Sequence, residues 1–416
     1  MHLYDVPLIF ALVGLALYTV LGGADFGAGL WMLMTGRGPR AERIRDHAYH
    51  SMGPVWEANH VWLVFVLTVV WTAYPAVFGS IASTLSVPLF IAAVGIIFRG
   101  ATYALRTGTA DRVERRVVDT LFAVASILTP FALGAAVGGI ASRRVPVGNA
   151  AGSLSSSWLN PTSILVGILA VVAAGYLAAV YLAADAVRRG EPELEREFRG
   201  RALGAGVLAG AIALGGLAVL HSDAHRLYHG LVQGDGLPAL IASIVAGAGT
   251  LGLVWARRFE LARYTAATAV AATIAGWALA QNPTLLPGLT VRQAAAPHDT
   301  LVALVVSVVA GGAILFPSLA LLFRLFLGGR LDHGAPATGP PLPARALLSA
   351  STPGLTARAA GACLIAGVGF LTIADAGWAH AIGVAALLGF IALGFLAATP
   401  AEVAARSGEG ASTPGR

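Results

Sequence analysis

The chain has 416 residues, of which 57% are hydrophobic and only 12% charged, and its mean hydropathy is +0.76. Soluble domains carry about 25% charged residues, so this composition excludes an ordinary soluble protein and predicts an all-α, polytopic transmembrane helical bundle. The pI near 9.9 does not signal nucleic acid: the 27 basic residues, all arginine, fall in short loops between apolar runs and not on one face. A single cysteine, Cys363, excludes an intrachain disulfide or a Cys-based cluster.

A helix needs roughly 20 apolar residues to cross the hydrocarbon. Nine candidate spans follow in order: 6–33, 54–74, 77–98, 117–140, 161–184, 202–221, 237–256, 264–281 and 300–327. Two shorter runs, 359–374 and 378–398, flank Asp375 and form an extra hairpin, for about eleven spans in all. The organisation expected is a transmembrane domain over 1–327, a Gly/Pro-rich cytoplasmic linker over 328–358, the hairpin over 359–398 and a polar, disordered tail over 399–416. No basic stretch or cleavage pattern accompanies the first run, which reads as a retained helix and not a signal peptide.

Arginine placement orients the spans. With the N-terminus outside, most loop arginines are cytoplasmic, among them Arg40, Arg43, Arg99, Arg112, Arg188, Arg199, Arg258 and Arg324; only Arg143, Arg144, Arg226 and Arg292 fall on outer loops. The C-terminus is then cytoplasmic.

Asp25 and Glu57 stand in the first two apolar runs, on either side of an arginine-rich hinge. An ionisable group in hydrocarbon costs roughly 2.5–3.5 kcal/mol on insertion scales, and packing does not require a carboxylate. In this orientation Asp25, Glu57 and Arg99 gather at one depth near the cytoplasmic face, where opposite charges neutralise one another. Gly23 and Gly27 beside Asp25 form a small-xxx-small pattern for close helix approach. Trp56, Asn59, His60 and Leu63 share a helix face, and Glu57 and His60 are i, i+3 neighbours. Two readings of Asn59 and His60 stay open: a Glu–His proton relay, or hydrogen-bond partners between helices. Trp31, Trp56 and Trp62 read as interface anchors.

Farther on, 141–160 reads as an outer loop and 185–201 as a charged, helical inner loop. His221, His225 and His229 recur at i, i+4, i+8, a spacing that suits a metal or haem; without a Cys or carboxylate beside them, and with Gly230 and Gly234 following, a solvated loop is the favoured reading. Asn282 to His298, rich in Pro and Gly, reads as a structured outer turn. No Walker loop, dinucleotide fingerprint, zincin motif or nucleophile elbow is present. The residues alone describe a membrane protein with a proton- or cation-handling carboxylate pair reachable from the cytoplasm.

Gly22-Gly-Ala-Asp-Phe-Gly-Ala-Gly-Leu-Trp31, Gly53-Pro-Val-Trp-Glu-Ala-Asn-His-Val-Trp-Leu63, Phe98-Arg99 and Pro287 to His298 together resemble subunit II of the cytochrome bd quinol oxidases, including the cyanide-insensitive branch. The resemblance runs from about residue 3 to 327. It implies nine helices arranged as two four-helix bundles plus one peripheral helix. It also implies a haem-free subunit in a bacterial plasma-membrane complex that oxidises quinol and reduces oxygen to water, with two haems b and one haem d in subunit I. By the same resemblance Glu57 takes the mouth of a proton pathway toward the haems, with Asp25 in the same hydrophilic channel. Trp56 and Arg99 match residues near a structural quinone seen in some members. No metal ligand and no catalytic residue is expected in this chain.

The hairpin departs from the family pattern. It either stands in for the small single-helix accessory subunits of such complexes or is an extension without a role in turnover. Beside the oxidase reading stand two others: a stand-alone membrane proton or cation transporter using the same carboxylates, and a structural subunit with inert acids.

Overall fold

The computed structural model describes residues 2–36, 38–106, 112–327, 355–373 and 377–398; for several stretches, including 53–54, 56–58, 103–106 and 112–117, it describes the backbone alone. The chain divides into two compact units, 1–322 and 323–416.

In the first unit, six helices begin with a proline in the first turn, with its fixed φ and no N–H to leave unsatisfied. A short 3-10 turn leads into α1 (Val6–Met34), followed by α2 (Pro39–Ala73), α3 (Pro75–Thr84), α4 (Ser86–Arg106) and α5 (Arg112–Ala141). Then come α6 (Pro161–Arg188), α7 (Pro192–Asp223), α8 (His225–Val232), α9 (Leu237–Trp255) and α10 (Phe259–Gln281). A small antiparallel pair, β1 (Thr284–Leu286) and β2 (Leu289–Thr290), precedes α11 (Val291–Ala294) and α12 (His298–Leu327). The second unit holds α13 (Leu355–Ile373) and α14 (Gly377–Ala398).

Every candidate apolar run falls on helix. By length and hydropathy, six helices among the described residues can cross a membrane, or seven if the bent pair α3–α4 is one span. The run 77–98, expected to be a single helix, is broken: α3 and α4 meet at 83° across Leu85. Pro88 accounts for the break, because it has no N–H for the Thr84 carbonyl four residues back and its ring crowds that carbonyl. Two further expectations are corrected. Most of the arginine-rich hinge is the first half of α2. The charged segment 185–201 is helical, as expected, but it is no separate loop: it is the end of α6 and the start of α7, separated by Arg189–Glu191.

The organising element is α6. From Ala174 to Ala186 it buries every residue except Tyr181, as befits a helix apolar all round. α1, α2, α5, α7, α9 and α10 pack about this stretch through Ala24, Met52, Phe122, Phe198, Val254 and Ala262. Small residues set the distances. A Cβ on Gly27 would fall on the Ala174 carbonyl, so the small-xxx-small pattern of α1 is where α6 docks. Trp31, expected to anchor the interface, instead donates from Nε1 to the Gly175 carbonyl at 2.7 Å and fixes the same contact. His47 ties α2 to α6 by donating from Nε2 to the Leu182 carbonyl at 3.0 Å.

Charged residues gather at both ends of the bundle. At one end Arg43 pairs with Glu193 at 2.7 Å, Arg40 pairs with Glu197, and Arg199 donates to the Trp255 carbonyl at 2.7 Å. At the other end Arg144 pairs with Asp223 at 2.6 Å, and Asp223 also accepts from Thr162 Oγ1 at 2.6 Å. The segment 282–298 is structured, as expected: Thr290 and Gln293 form a capping box, and Ala296 N donates to the Ala73 carbonyl at 2.8 Å. In the second unit α13 and α14 form an antiparallel hairpin, with Gly367 against Leu387 and Gly389 against Cys363. Residues 328–354 of the predicted linker and the predicted tail 399–416 lie outside the described residues.

A substitution separates these roles of glycine. Gly27→Ala forces α1 off α6 and is expected to cost about 3 kcal/mol, whereas Gly204→Ala, with open space around its Cα, stabilises by about 1 kcal/mol through helix propensity. Thermal unfolding of the purified protein in mild detergent checks both signs.

Candidate functional site

Asp25 sits on α1 one helical turn before Gly29, on a face closed by α2, α4 and α5. Its side chain is 0% exposed, as is Asn59, and Arg99 is 1% exposed. Arg99 Nη2 donates to Asp25 Oδ1 at 2.5 Å and to the Asp25 carbonyl at 3.3 Å. Asn59 Nδ2 donates to Asp25 Oδ2 at 3.2 Å. The other arm of the guanidinium, Nη1, donates to Ser126 Oγ on α5, and the Ser126 hydroxyl in turn donates a hydrogen bond to the Phe122 carbonyl at 2.5 Å. The rings of Phe122 and Phe26 lie 4.2 Å and 4.8 Å from the guanidinium carbon.

The construction answers a physical demand. Removing an ion from water costs several kcal/mol, which a buried partner offsets only when further hydrogen bonds satisfy both groups. Here Asn59, Ser126 and the Asp25 backbone supply those bonds, and two aromatic faces supply cation–π contact. Gly29 makes room: a Cβ there would overlap Ser126 and stand 3.1 Å from Arg99 Nη1. Other polar atoms on these helices, Asn59 Oδ1, Arg99 Nε, Tyr18 OH and Thr129 Oγ1, are buried without a partner among the described residues.

The structure therefore brings together Asp25, Asn59 and Arg99, three of the residues singled out in the sequence. His60 is half-buried on the next position of α2. Glu57 and Trp56 belong to α2, two and three residues before Asn59, but their side chains lie outside the described residues. Ser126, Phe122 and Phe26 complete the site and were not anticipated. Ser126 looks like any serine in an apolar helix, and the one trace of it is the missing side chain of Gly29 on a different helix. The three histidines, expected in a solvated loop, lie on α7 and α8 with their rings exposed. Among the described residues no group of three or more His, Cys, Asp or Glu converges as a metal site.

The model of the cytochrome bd terminal oxidase subunit II family matches residues 3–326. The chain belongs to this family. Subunit 2 of the cytochrome bd ubiquinol oxidase of Bacillus subtilis is 28% identical over 133 residues, which are 32% of this chain and 38% of the relative. Subunit 2 of the Escherichia coli K12 cytochrome bd-I ubiquinol oxidase is 27% identical over 131 residues, 31% of this chain and 34% of the relative. The aligned stretches thus span little more than a third of these curated relatives. A chain in the solved structure of bd oxidase from Geobacillus thermodenitrificans is similar over more of its length: it is 26% identical with a TM-score of 0.61, and the match covers 79% of this chain and 99% of that one. As a subunit II of the cytochrome bd family, the chain is an all-α polytopic membrane protein.

The ion pair predicts a specific stability pattern. Asp25→Ala or Arg99→Ala alone leaves a buried charge uncompensated and is expected to cost about 3–5 kcal/mol. The double variant costs clearly less than the sum of the two. A double-mutant cycle measured by thermal unfolding tests this, and additive losses would show that the two groups are not coupled.

Proposed function

We propose that this chain is the haem-free subunit II of a terminal oxidase in a bacterial plasma membrane, one that couples quinol oxidation to the reduction of oxygen to water. In this reading it pairs with a subunit I that holds two haems b and a haem d, and it supplies protons to them from the cytoplasm. Family membership supports the complex. The Asp25–Arg99–Asn59 centre supports the proton role, because reduction of oxygen consumes protons at a buried site and they must arrive along hydrogen-bonding groups. Glu57 receives the proton from the aqueous side and His60 relays it along the same helix. Asp25 and Asn59 form the inner stage, and the unpartnered Asn59 Oδ1, Tyr18 OH and Thr129 Oγ1 offer hydrogen bonds to the water such a path needs. Uptake from the cytoplasm adds to the membrane potential, worth ~2.3 kcal/mol per charge per 100 mV.

The N-terminus lies outside and the C-terminus in the cytoplasm. This orientation has the support of the arginine distribution and of the charged pairs that join α2, α7 and α9 at a single end of the bundle. A structural quinone against Trp56 and Arg99 belongs to the same reading. The guanidinium is held between Phe26 and Phe122, and its Nε has no partner among the described residues. Residues 1–327 form the family domain, and the 359–398 hairpin occupies the lipid-facing position of a small accessory subunit.

Glu57→Gln keeps the side chain's shape and removes its titration. In the assembled complex, verified by the partner's d-type absorption, it is expected to slow quinol-driven oxygen uptake by roughly tenfold or more. Unimpaired oxygen uptake would instead favour inert acids, and a purified chain with no haem-bearing partner would favour a stand-alone transporter.

A further inference from the structure

A second polar cluster lies apart from the Asp25 centre, where α7 turns into α8 at Ala224. Leu227 is buried, and Tyr228 and Leu231 pack beside it against Leu220, Ala224, Trp277 and Ala280, so α8 is seated on a fixed apolar surface. His225 and His229 are exposed, one turn apart on the same side of the helix. Their rings meet edge to face with centroids 4.4 Å apart, and the two Nε2 atoms are 3.0 Å from each other.

The other nitrogen of each ring also has a partner. His225 Nδ1 lies 3.0 Å from the His221 carbonyl, which can only accept, so Nδ1 carries the proton. His229 Nδ1 lies 2.9 Å from the side-chain amide of Gln233, whose oxygen accepts when Nδ1 carries the proton. In that protonation state each Nε2 presents a lone pair 3.0 Å from the other, and one cation set beside the line that joins them takes both. An imidazole whose Nε2 faces a metal while its Nδ1–H is held by a carbonyl or amide oxygen is also the usual outer-shell arrangement of histidine ligands.

We infer that His225 and His229 form a binding site for a divalent transition-metal ion of the zinc, copper or nickel class. Imidazole nitrogen suits these ions and not the oxygen-seeking magnesium or calcium. Bonds of about 2.0–2.1 Å from each Nε2 reach one shared ion at this spacing. Among the described residues no third His, Cys, Asp or Glu joins the pair, so water or another molecule completes the coordination and the ion exchanges with the medium. His221, with its ring 5.1 Å from that of His225, orients the first ligand through its backbone carbonyl. The site is independent of the proton path.

The test uses the assembled complex, purified without a polyhistidine tag, stripped with chelator and titrated with Zn2+ alone by calorimetry. The wild type is expected to bind one Zn2+ more per chain than the His225→Ala/His229→Ala variant. Gln233→Leu, which keeps both ligands but removes the acceptor behind one, is expected to weaken that event by about tenfold or more. Because both histidines are exposed, thermal unfolding without metal serves as the control for folding. Equal stoichiometry and affinity in the wild type and the double variant would overturn the proposal. So would a wild type that takes up no Zn2+ there, which would leave a shared proton as the cation between the rings.

Discussion

The buried Asp25–Arg99 ion pair is the constraint to which the first half of the bundle is fitted. Two charges with at most 1% exposure are tolerable only if further hydrogen bonds satisfy most of their polar atoms. That requirement recruits Asn59 from α2, Ser126 and Phe122 from α5 and Phe26 from α1, and it fixes how four helices stand to one another. Lipid gives helices no hydrophobic reason to associate, so such polar ties and close steric fit carry the specificity.

The close fit is the work of residues that lack side chains or nearly so. α6 brings a run of mostly small and aliphatic residues, buried from Ala174 to Ala186 except at Tyr181, and α1 meets it through Gly27. Gly29 lies farther round the same helix and leaves room for the guanidinium of Arg99. Thus the short stretch around Asp25 does two things at once: it docks α1 on the central helix and opens the space that the ion pair fills. The dense glycine content there follows from both demands.

Much of this was legible in the sequence, for reasons that differ by residue. Asp25 and Arg99 stand out because charge in an apolar run is conspicuous, and arginine placement in the loops put them at one depth. Asn59 followed from its face on the second helix. Ser126 was invisible, since a serine is commonplace in such helices and its role depends on a glycine elsewhere. The break at Leu85 escaped because hydropathy measures composition and reads straight through a missing backbone hydrogen bond, although Pro88 was in view. The first half of α2 is charged and so was mistaken for a hinge. The histidines of α8 were assigned to a loop because Gly230 looked like a helix breaker; it is instead where α8 presses closely on Ala280.

The account holds that protons bound for a partner's oxygen chemistry pass a carboxylate that the first helices keep away from lipid. The most direct measurement is quinol-driven oxygen consumption by Asp25→Asn in the assembled complex, with intact assembly shown by an unaltered haem spectrum. A fall of about tenfold or more, without loss of the haems, is the result the account predicts. Turnover equal to that of the unmodified complex would contradict it and reduce the pair to a fastening between helices.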